Sequence, residues 1–127
     1  MHFKKLISIL IFQVFLIPVT LAQPTKFISY QEKGNGTPLV LIHAFPTGKH
    51  LWDPQLNALS ARFHVITLDL WGFGESASTD GDTVGMDKYA DEVKQLLDQL
   101  HIQKAIIGGE SMGGYVALEV LKNILLL

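Results

Sequence analysis

A serine with one glycine two residues before it and another two residues after it is the side chain best placed to do chemistry. Residues 109–113 read Gly-Glu-Ser-Met-Gly and fit G-x-S-x-G, a pattern that suits a serine held on a sharp strand-to-helix turn. Such a turn demands a strained backbone at Ser111, and Gly109 and Gly113 leave space for the crowded chain. The pattern therefore predicts a hydroxyl pushed out toward solvent or substrate.

The residues on either side of this turn suit a strand and a helix. The apolar run at residues 105–107 predicts a short buried strand, and residues 115–121 predict a helix. Ser111 would then lie near a helix N-terminus, where the amide of Met112 faces any negative charge that forms on a substrate oxygen. An ordinary Gly/Ser turn between the two elements is the alternative interpretation.

Two other predicted strands also end in unusual residues. The strand at residues 39–42 runs into His-Ala-Phe-Pro at residues 43–46. The strand at residues 63–70 leads into a glycine-containing loop that begins at Asp69. Because ligands of open α/β sheets bind outside the carboxyl ends of the strands, we expect both loops to meet the Ser111 turn on one edge of the sheet.

Buried strands and amphipathic helices alternate along the chain. The clearest helix is predicted at residues 87–100, where apolar residues form one stripe against a charged back. This alternation predicts an α/β fold, a mostly parallel sheet with helices on both faces and right-handed crossovers. The predicted strands span residues 26–32, 39–42, 63–70 and 105–107, and the predicted helices span residues 50–61, 87–100 and 115–121.

The three loops together resemble those of the α/β-hydrolase superfamily, and the match spans nearly all of the chain after the first 22 residues. Ser111, with Gly109 and Gly113, matches the family's nucleophile and its flanking glycines. The His-Ala-Phe-Pro loop is similar to the family's H-G-x-P loop. The resemblance therefore implies an oxyanion hole made by the backbone amides of Phe45 and Met112.

The resemblance also implies supporting residues and a reaction class. Residues 69–76 are similar to the family's D-x-x-G-x-G-x-S segment, so His43 and Asp69 are expected to shape the site. The run after the serine looks most like small bacterial esterases, enol-lactonases and haloperoxidase-like hydrolases. A serine at the turn, where dehalogenases and epoxide hydrolases of this fold use a carboxylate, favours acyl transfer on small esters, lactones or related substrates. No cofactor is implied.

Two residues depart from the family pattern. Ala44 replaces the usual glycine of the H-G-x-P loop, which requires backbone angles that a residue with a Cβ can adopt. Glu110 stands before the serine, where the family often has His, Asn or Leu. It is either a solvated loop charge or a hydrogen-bonding support for the turn.

The groups that would activate Ser111 are missing from the sequence after it. A serine nucleophile needs a histidine base and a carboxylate that orients it, and in this family both follow the serine. After Ser111 the only acid is Glu119, and there is no histidine. His43 is the nearest earlier candidate for a base, although the resemblance gives it a structural role. Surface roles are expected for His50, His64 and His101.

The last residues of the sequence, 120–127, are mostly apolar where a helix should reach a polar end. We therefore expect residues 23–127 to form a partial α/β-hydrolase domain, truncated after the helix that follows Ser111 and inactive alone, with an open sheet edge beside the Ser111 strand. One alternative is a natural short protein whose tail packs on the sheet or binds a partner. Another is an inactive secreted remnant or a binding module that uses the same cleft.

The first 22 residues fit a secretory signal peptide. Lys4 and Lys5 precede an apolar core at residues 6–19, and small residues suited to cleavage follow before Gln23. The core is shorter than the roughly 20 residues that span a bilayer. We therefore expect cleavage, export to the periplasm or the medium, and no stable membrane span afterwards, with an uncleaved membrane anchor as the alternative.

Charge and composition narrow the range of partners. Without Lys4 and Lys5 the chain has 8 basic and 12 acidic residues, a net charge of −4, which gives no electrostatic basis for binding nucleic acid. The sequence has no cysteine and therefore neither disulfides nor a thiol nucleophile. No pair of histidines has the spacing of a metal site. The expected partner is a small ester-like molecule.

Overall fold

The structure, a computed structural model, describes residues 26–125, with side chains described through residue 123. The predicted signal peptide lies outside the described residues. Within the described range, no helix is both long and apolar enough to cross a membrane. The elements are β1 (Tyr30–Lys33), β2 (Thr37–Ile42), a 3-10 helix (Lys49–Trp52), α1 (Asp53–Ser60), β3 (Phe63–Leu68), α2 (Met86–Gln99), β4 (Ile106–Gly109) and α3 (Met112–Leu125).

The four strands form one sheet in the order β1-β3-β2-β4. β2 pairs in parallel with both β3 and β4, and β1 pairs with β3 antiparallel. The prediction of a mostly parallel sheet is confirmed, as is the order of strands and helices along the chain. Because β2 lies between two strands, its uniformly apolar residues, Leu39–Ile42, are buried on both faces.

The two faces of the sheet are covered by different helices. On one face Val40 and Ile42 join a core with α2 and α3. On the other face Leu39 and Leu41 pack with side chains of α1 and of the 3-10 helix, including Trp52. Alternate residues of β2 thus point to opposite cores, as the period of a strand requires. The prediction of helices on both faces is confirmed.

The strand before Ser111 differs from its prediction. The sequence predicts a buried strand at residues 105–107, but Ile106 is 48% exposed. Among the described residues β4 is an edge strand, which pairs with β2 on one side and with no strand on the other. The side chain of Ile106 therefore has fewer neighbours than it would have in a central strand. An apolar run in sequence does not reveal whether its strand is central or at an edge. The expected open edge beside the Ser111 strand is confirmed within residues 26–125.

Candidate active site

Ser111 lies in the single turn that separates β4 from α3, with its side chain exposed. Its φ is +50°, a left-handed conformation that costs a residue with a Cβ energy and persists only where the surroundings impose it. The amide of Gly113 donates to the carbonyl of Glu110 and that of Gly114 to the carbonyl of Ser111, each at 2.9 Å. The predicted strained backbone at Ser111 is confirmed.

The two glycines around the serine are required by close contacts of the backbone. A Cβ at Gly109 would overlap the carbonyl group of Gly113. A Cβ at Gly113 would overlap the carbonyl oxygen of Ile42, at the end of β2, and would lie 2.7 Å from that of His43. The first turn of α3 therefore packs backbone against backbone on the end of β2, and the predicted space at both glycines is confirmed.

The turn is joined to the last residue of β2 by a hydrogen bond, which the amide of Glu110 donates to the carbonyl of Ile42 at 3.1 Å. Three residues after Ile42 comes Phe45, whose side chain is 68% exposed. Within residues 26–125 neither the amide of Phe45 nor that of Met112 has a hydrogen-bond acceptor. Two N–H groups without an acceptor thus lie on the two segments that this bond joins.

Both departures from the family pattern fit the structure. The residues with positive φ other than glycine are Asp80, His101 and Ser111 among those described, so Ala44 has backbone angles open to any residue. The carbonyl of Ala44 accepts two bonds from Thr47, from the amide at 2.9 Å and from the hydroxyl at 2.7 Å. The side chain of Glu110 is exposed, which favours the solvated charge. Only its backbone supports the turn.

His43 is a fully buried structural residue. The amide of Leu70 donates to its Nε2 at 3.1 Å, and its Nδ1 lies 2.9 Å from the carbonyl of Ala44. These partners fix the tautomer with the proton on Nδ1. Burial lowers the pKa of His43, although the Ala44 carbonyl and the charge of Asp69 act in the opposite direction. With both nitrogens engaged, His43 has no free lone pair to serve as a base for Ser111.

Asp69 organises its own loop through hydrogen bonds to Lys49 and Glu75. Asp69 is only 1% exposed. Its carboxylate accepts hydrogen bonds from the amide of Lys49 at 2.6 Å and from the amide of Glu75 at 3.0 Å. A Cβ at Gly48 or at Gly74 would collide with this carboxylate. Burial alone would raise the pKa of Asp69, but the bonds from Glu75 and Lys49 outweigh it and lower the pKa.

Lys49 is a residue that shapes the site and that the sequence did not single out. Its ammonium group, on a residue only 5% exposed, lies 2.8 Å from Asp69 Oδ2, 2.6 Å from Glu75 Oε2 and 2.9 Å from Ser29 Oγ. Burial would lower the pKa of Lys49, but the bonds to Asp69 and Glu75 raise it. Lys49 therefore ties the loop after β2 to the loop after β3. A single lysine in a polar stretch carries no sequence signal for this role.

Aromatic rings join the same two loops. The ring of Phe73 meets that of His43 edge-on at 5.1 Å between centroids and that of Phe45 at 5.9 Å. Met112 also packs on the core that Phe73 borders. Trp52 packs on the opposite face of the sheet, against Leu39 and Leu41, and belongs to the core there.

The other histidines have partners or positions away from the turn. His50 Nδ1 lies 2.9 Å from Asp53 Oδ2, and His64 Nε2 lies 2.7 Å from Glu32 Oε2. His101 is exposed at the end of α2. Among the described side chains, no histidine is hydrogen-bonded to Ser111, and no three His, Cys, Asp or Glu residues cluster as a metal site would require.

Glu92 is a buried acid of α2, a helix for which the sequence predicts an apolar stripe against a charged back. It is fully buried beside Val93 and Leu96. Its Oε2 accepts a bond from the amide of Trp71 at 3.1 Å, and Oε1 has no partner among the described residues. Burial raises the pKa of Glu92 to about 8, although the bond from Trp71 lowers it. The acid is therefore largely protonated at neutral pH.

Comparison with known proteins gives a consistent result. A family model for the alpha/beta hydrolase fold matches residues 37–123. The chain is 47% identical over 87 residues to the dihydrolipoyllysine-residue acetyltransferase component of the acetoin cleaving system of Pseudomonas putida, covering 67% of this chain and 23% of that protein. It is 35% identical over 95 residues to 3-oxoadipate enol-lactonase 1 of Acinetobacter baylyi, covering 73% of this chain and 35% of the enzyme.

A solved structure of a hydrolase has a similar fold. A thermophilic esterase from Thermogutta terrifontis, solved with malate bound, matches with a TM-score of 0.74 and 33% identity, and the match covers 81% of this chain and 42% of the esterase. The chain therefore spans 23% to 42% of the length of these three proteins.

The packing of Gly113 can be tested with a matched pair of substitutions. Gly113→Ala would place its Cβ against the Ile42 carbonyl, whereas Gly114→Ala would place its Cβ 3.5 Å from the Gly109 carbonyl, an ordinary contact. We expect Gly113→Ala to lower the free energy of unfolding by about 2 kcal/mol or more. Gly114→Ala should leave it unchanged or raise it by up to about 1 kcal/mol. Urea unfolding measures both, and equal stability of the two variants would contradict the packing.

The buried acid predicts a dependence of stability on pH. The pKa of Glu92 is raised from 4.5 in the unfolded chain to about 8, so the folded state holds a proton that the unfolded state loses. Stability should therefore fall as pH rises from 4.5 to 8, with a slope from this group of up to about 1.4 kcal/mol per pH unit. Glu92→Gln should remove this part of the slope in urea unfolding. An unchanged slope would show that Glu92 ionises normally.

Proposed function

Since the chain belongs to the alpha/beta hydrolase fold family, as its motifs predicted, we propose that it carries the nucleophile and the oxyanion hole of a serine hydrolase for small esters or lactones. The observation that carries this proposal is the geometry at Ser111. Its side chain is exposed at φ +50°, and the free amides of Phe45 and Met112 lie on the two segments joined at the turn.

The proposed reaction is acyl transfer in two steps. The Ser111 hydroxyl oxygen forms a bond to the substrate carbonyl carbon and gives up its proton to a base. The carbonyl oxygen becomes an oxyanion, which accepts bonds from the amides of Phe45 and Met112. Collapse of this intermediate breaks the bond to the leaving alkoxy oxygen, which takes a proton. Water then adds to the acyl-enzyme and releases the acid.

The proposed substrate class is inferred from the activities that name the matched proteins, and not from the shape of a pocket. One matched protein is named an enol-lactonase and another an esterase, and both names describe hydrolysis of a carbonyl bonded to oxygen. The exposed ring of Phe45 and the neighbouring Phe73 give the surface beside the turn an apolar character. Small esters and lactones of modest polarity are therefore the substrates proposed.

The base for Ser111 does not come from the described part of this chain. His43 has both nitrogens engaged, and the remaining histidines of residues 26–125 have no bond to Ser111. No histidine follows Ser111 in the sequence. Without a base the hydroxyl remains protonated and weakly nucleophilic. The 127-residue chain by itself should therefore react slowly at Ser111 and show little turnover of esters.

Fluorophosphonate labelling with and without imidazole tests this proposal. Alone, the chain should label slowly. Imidazole in the buffer should replace the missing base and raise the labelling rate about tenfold. This increase is smaller than the one that a base held in position by the protein supplies. Mass spectrometry should place the label on Ser111. Ser111→Ala should abolish labelling, whereas the matched variant Ser78→Ala, at another exposed serine, should not change it.

A binding module without chemistry would give a different result. Folded protein that stays unlabelled at Ser111 even with imidazole would rule out the nucleophile. Labelling that persists in Ser111→Ala would rule out this serine as its site. Circular dichroism of each variant confirms that the compared proteins are folded.

A further inference from the structure

The loop between β2 and the 3-10 helix carries the Phe45 amide. Within residues 26–125, the hydrogen bonds of residues 45–48 go only to Ala44 in the same loop and to Leu51 in the 3-10 helix. In that range no hydrogen bond ties this stretch to another segment of the chain. The position of the Phe45 amide therefore depends on how the two ends of the loop are held. One end continues from β2, and at the other the 3-10 helix begins with Lys49.

The Asp69 carboxylate holds the Lys49 end of this loop with both of its oxygens. Oδ1 accepts a hydrogen bond from the Lys49 amide at 2.6 Å, and Oδ2 accepts one from the Lys49 ammonium at 2.8 Å. One carboxylate thus binds the main chain and the side chain of the same residue. The side chains of Lys49 and Asp69 are 6% and 2% exposed, so solvent screens their attraction little.

The same ammonium group also binds the loop after β3. It lies 2.6 Å from Oε2 of Glu75, and Glu75 follows two residues after Phe73, whose ring meets that of Phe45 edge-on. Ion pairs and a ring contact therefore both join the loop after β2 to the loop after β3. The ion pairs depend on the charge of Lys49 and the ring contact does not, so a neutral side chain at residue 49 removes only the ion pairs.

We propose that Lys49 is a positioning residue for acyl transfer at Ser111, because its ammonium group holds the loop in the conformation that directs the Phe45 amide at the oxyanion. This role rests on the oxyanion hole proposed above. Without the ammonium group, only the Lys49 amide would still bind Asp69, and the Phe45 amide would occupy a wider range of positions. The Met112 amide belongs to α3 and would stay in place.

Fluorophosphonate labelling of the full chain with imidazole tests this role. The phosphoryl oxygen of the probe stands in for the substrate oxyanion. Lys49→Met keeps an unbranched side chain without the charge. It should slow labelling of the folded protein at Ser111 about tenfold, which is less than the loss of a whole oxyanion-hole donor costs. Lys94→Met, at an exposed lysine that pairs with Asp98, should leave the labelling rate unchanged.

Amide NMR of the phosphonylated chains separates positioning from general damage to the site. In the Lys49→Met adduct, the Phe45 amide proton should lose most of the downfield shift that it has in the parent adduct, whereas the Met112 amide proton should keep its shift. Loss of both shifts, or of neither, overturns the positioning role. A parent adduct in which neither amide shifts refutes the oxyanion hole itself, and this role with it.

Glu75→Met keeps the proposal testable if Lys49→Met does not fold. The side chain of Glu75 is 74% exposed, so its replacement should leave the fold intact, which circular dichroism checks. Labelling at Ser111 should slow about threefold, because an exposed partner of the ammonium group contributes less than a buried one. The Phe45 amide should lose part of its downfield shift. If Lys49→Met is unfolded, a Glu75→Met variant with the parent labelling rate and the parent Phe45 shift overturns the proposal.

Discussion

The contact of the α3 backbone with the end of β2 is the constraint on which the candidate site depends. Gly113 lies so close to the carbonyl of Ile42 that no side chain fits between them, and the amide of Glu110 bonds to that same carbonyl. The turn beside this contact carries the positive φ of Ser111 and its exposed side chain. It also holds the free amide of Met112 near the segment that carries Phe45.

A second constraint holds the loop after β2 against the loop after β3. The buried ammonium of Lys49 joins Asp69 and Glu75, in the loop after β3, to Ser29, which precedes β1. Removing Lys49 or Asp69 would leave the other buried charge without its buried partner, which costs more than the pair contributes. Asp69 is therefore essential to the shape of the loop even though it takes no part in the proposed chemistry.

Sequence predicted the features that depend on local pattern. The strand order along the chain, the strained turn at Ser111 and the glycines around it follow from residue type and spacing, and the structure confirms them. Features that depend on tertiary neighbours were missed. The exposure of Ile106 follows from the position of β4 in the sheet, the burial of Lys49 from two loops that meet, and that of Glu92 from the width of the face that α2 presents to the core.

The central claim is that the amides of Phe45 and Met112 form an oxyanion hole for a group bonded to Ser111. The most direct measurement is an amide NMR spectrum of the chain before and after phosphonylation of Ser111, with imidazole used to drive the reaction. We predict that the amide protons of Phe45 and Met112 shift downfield in the adduct, while that of Thr47, already bonded to Ala44, does not. A Ser111 adduct that leaves both amides unshifted would contradict the claim.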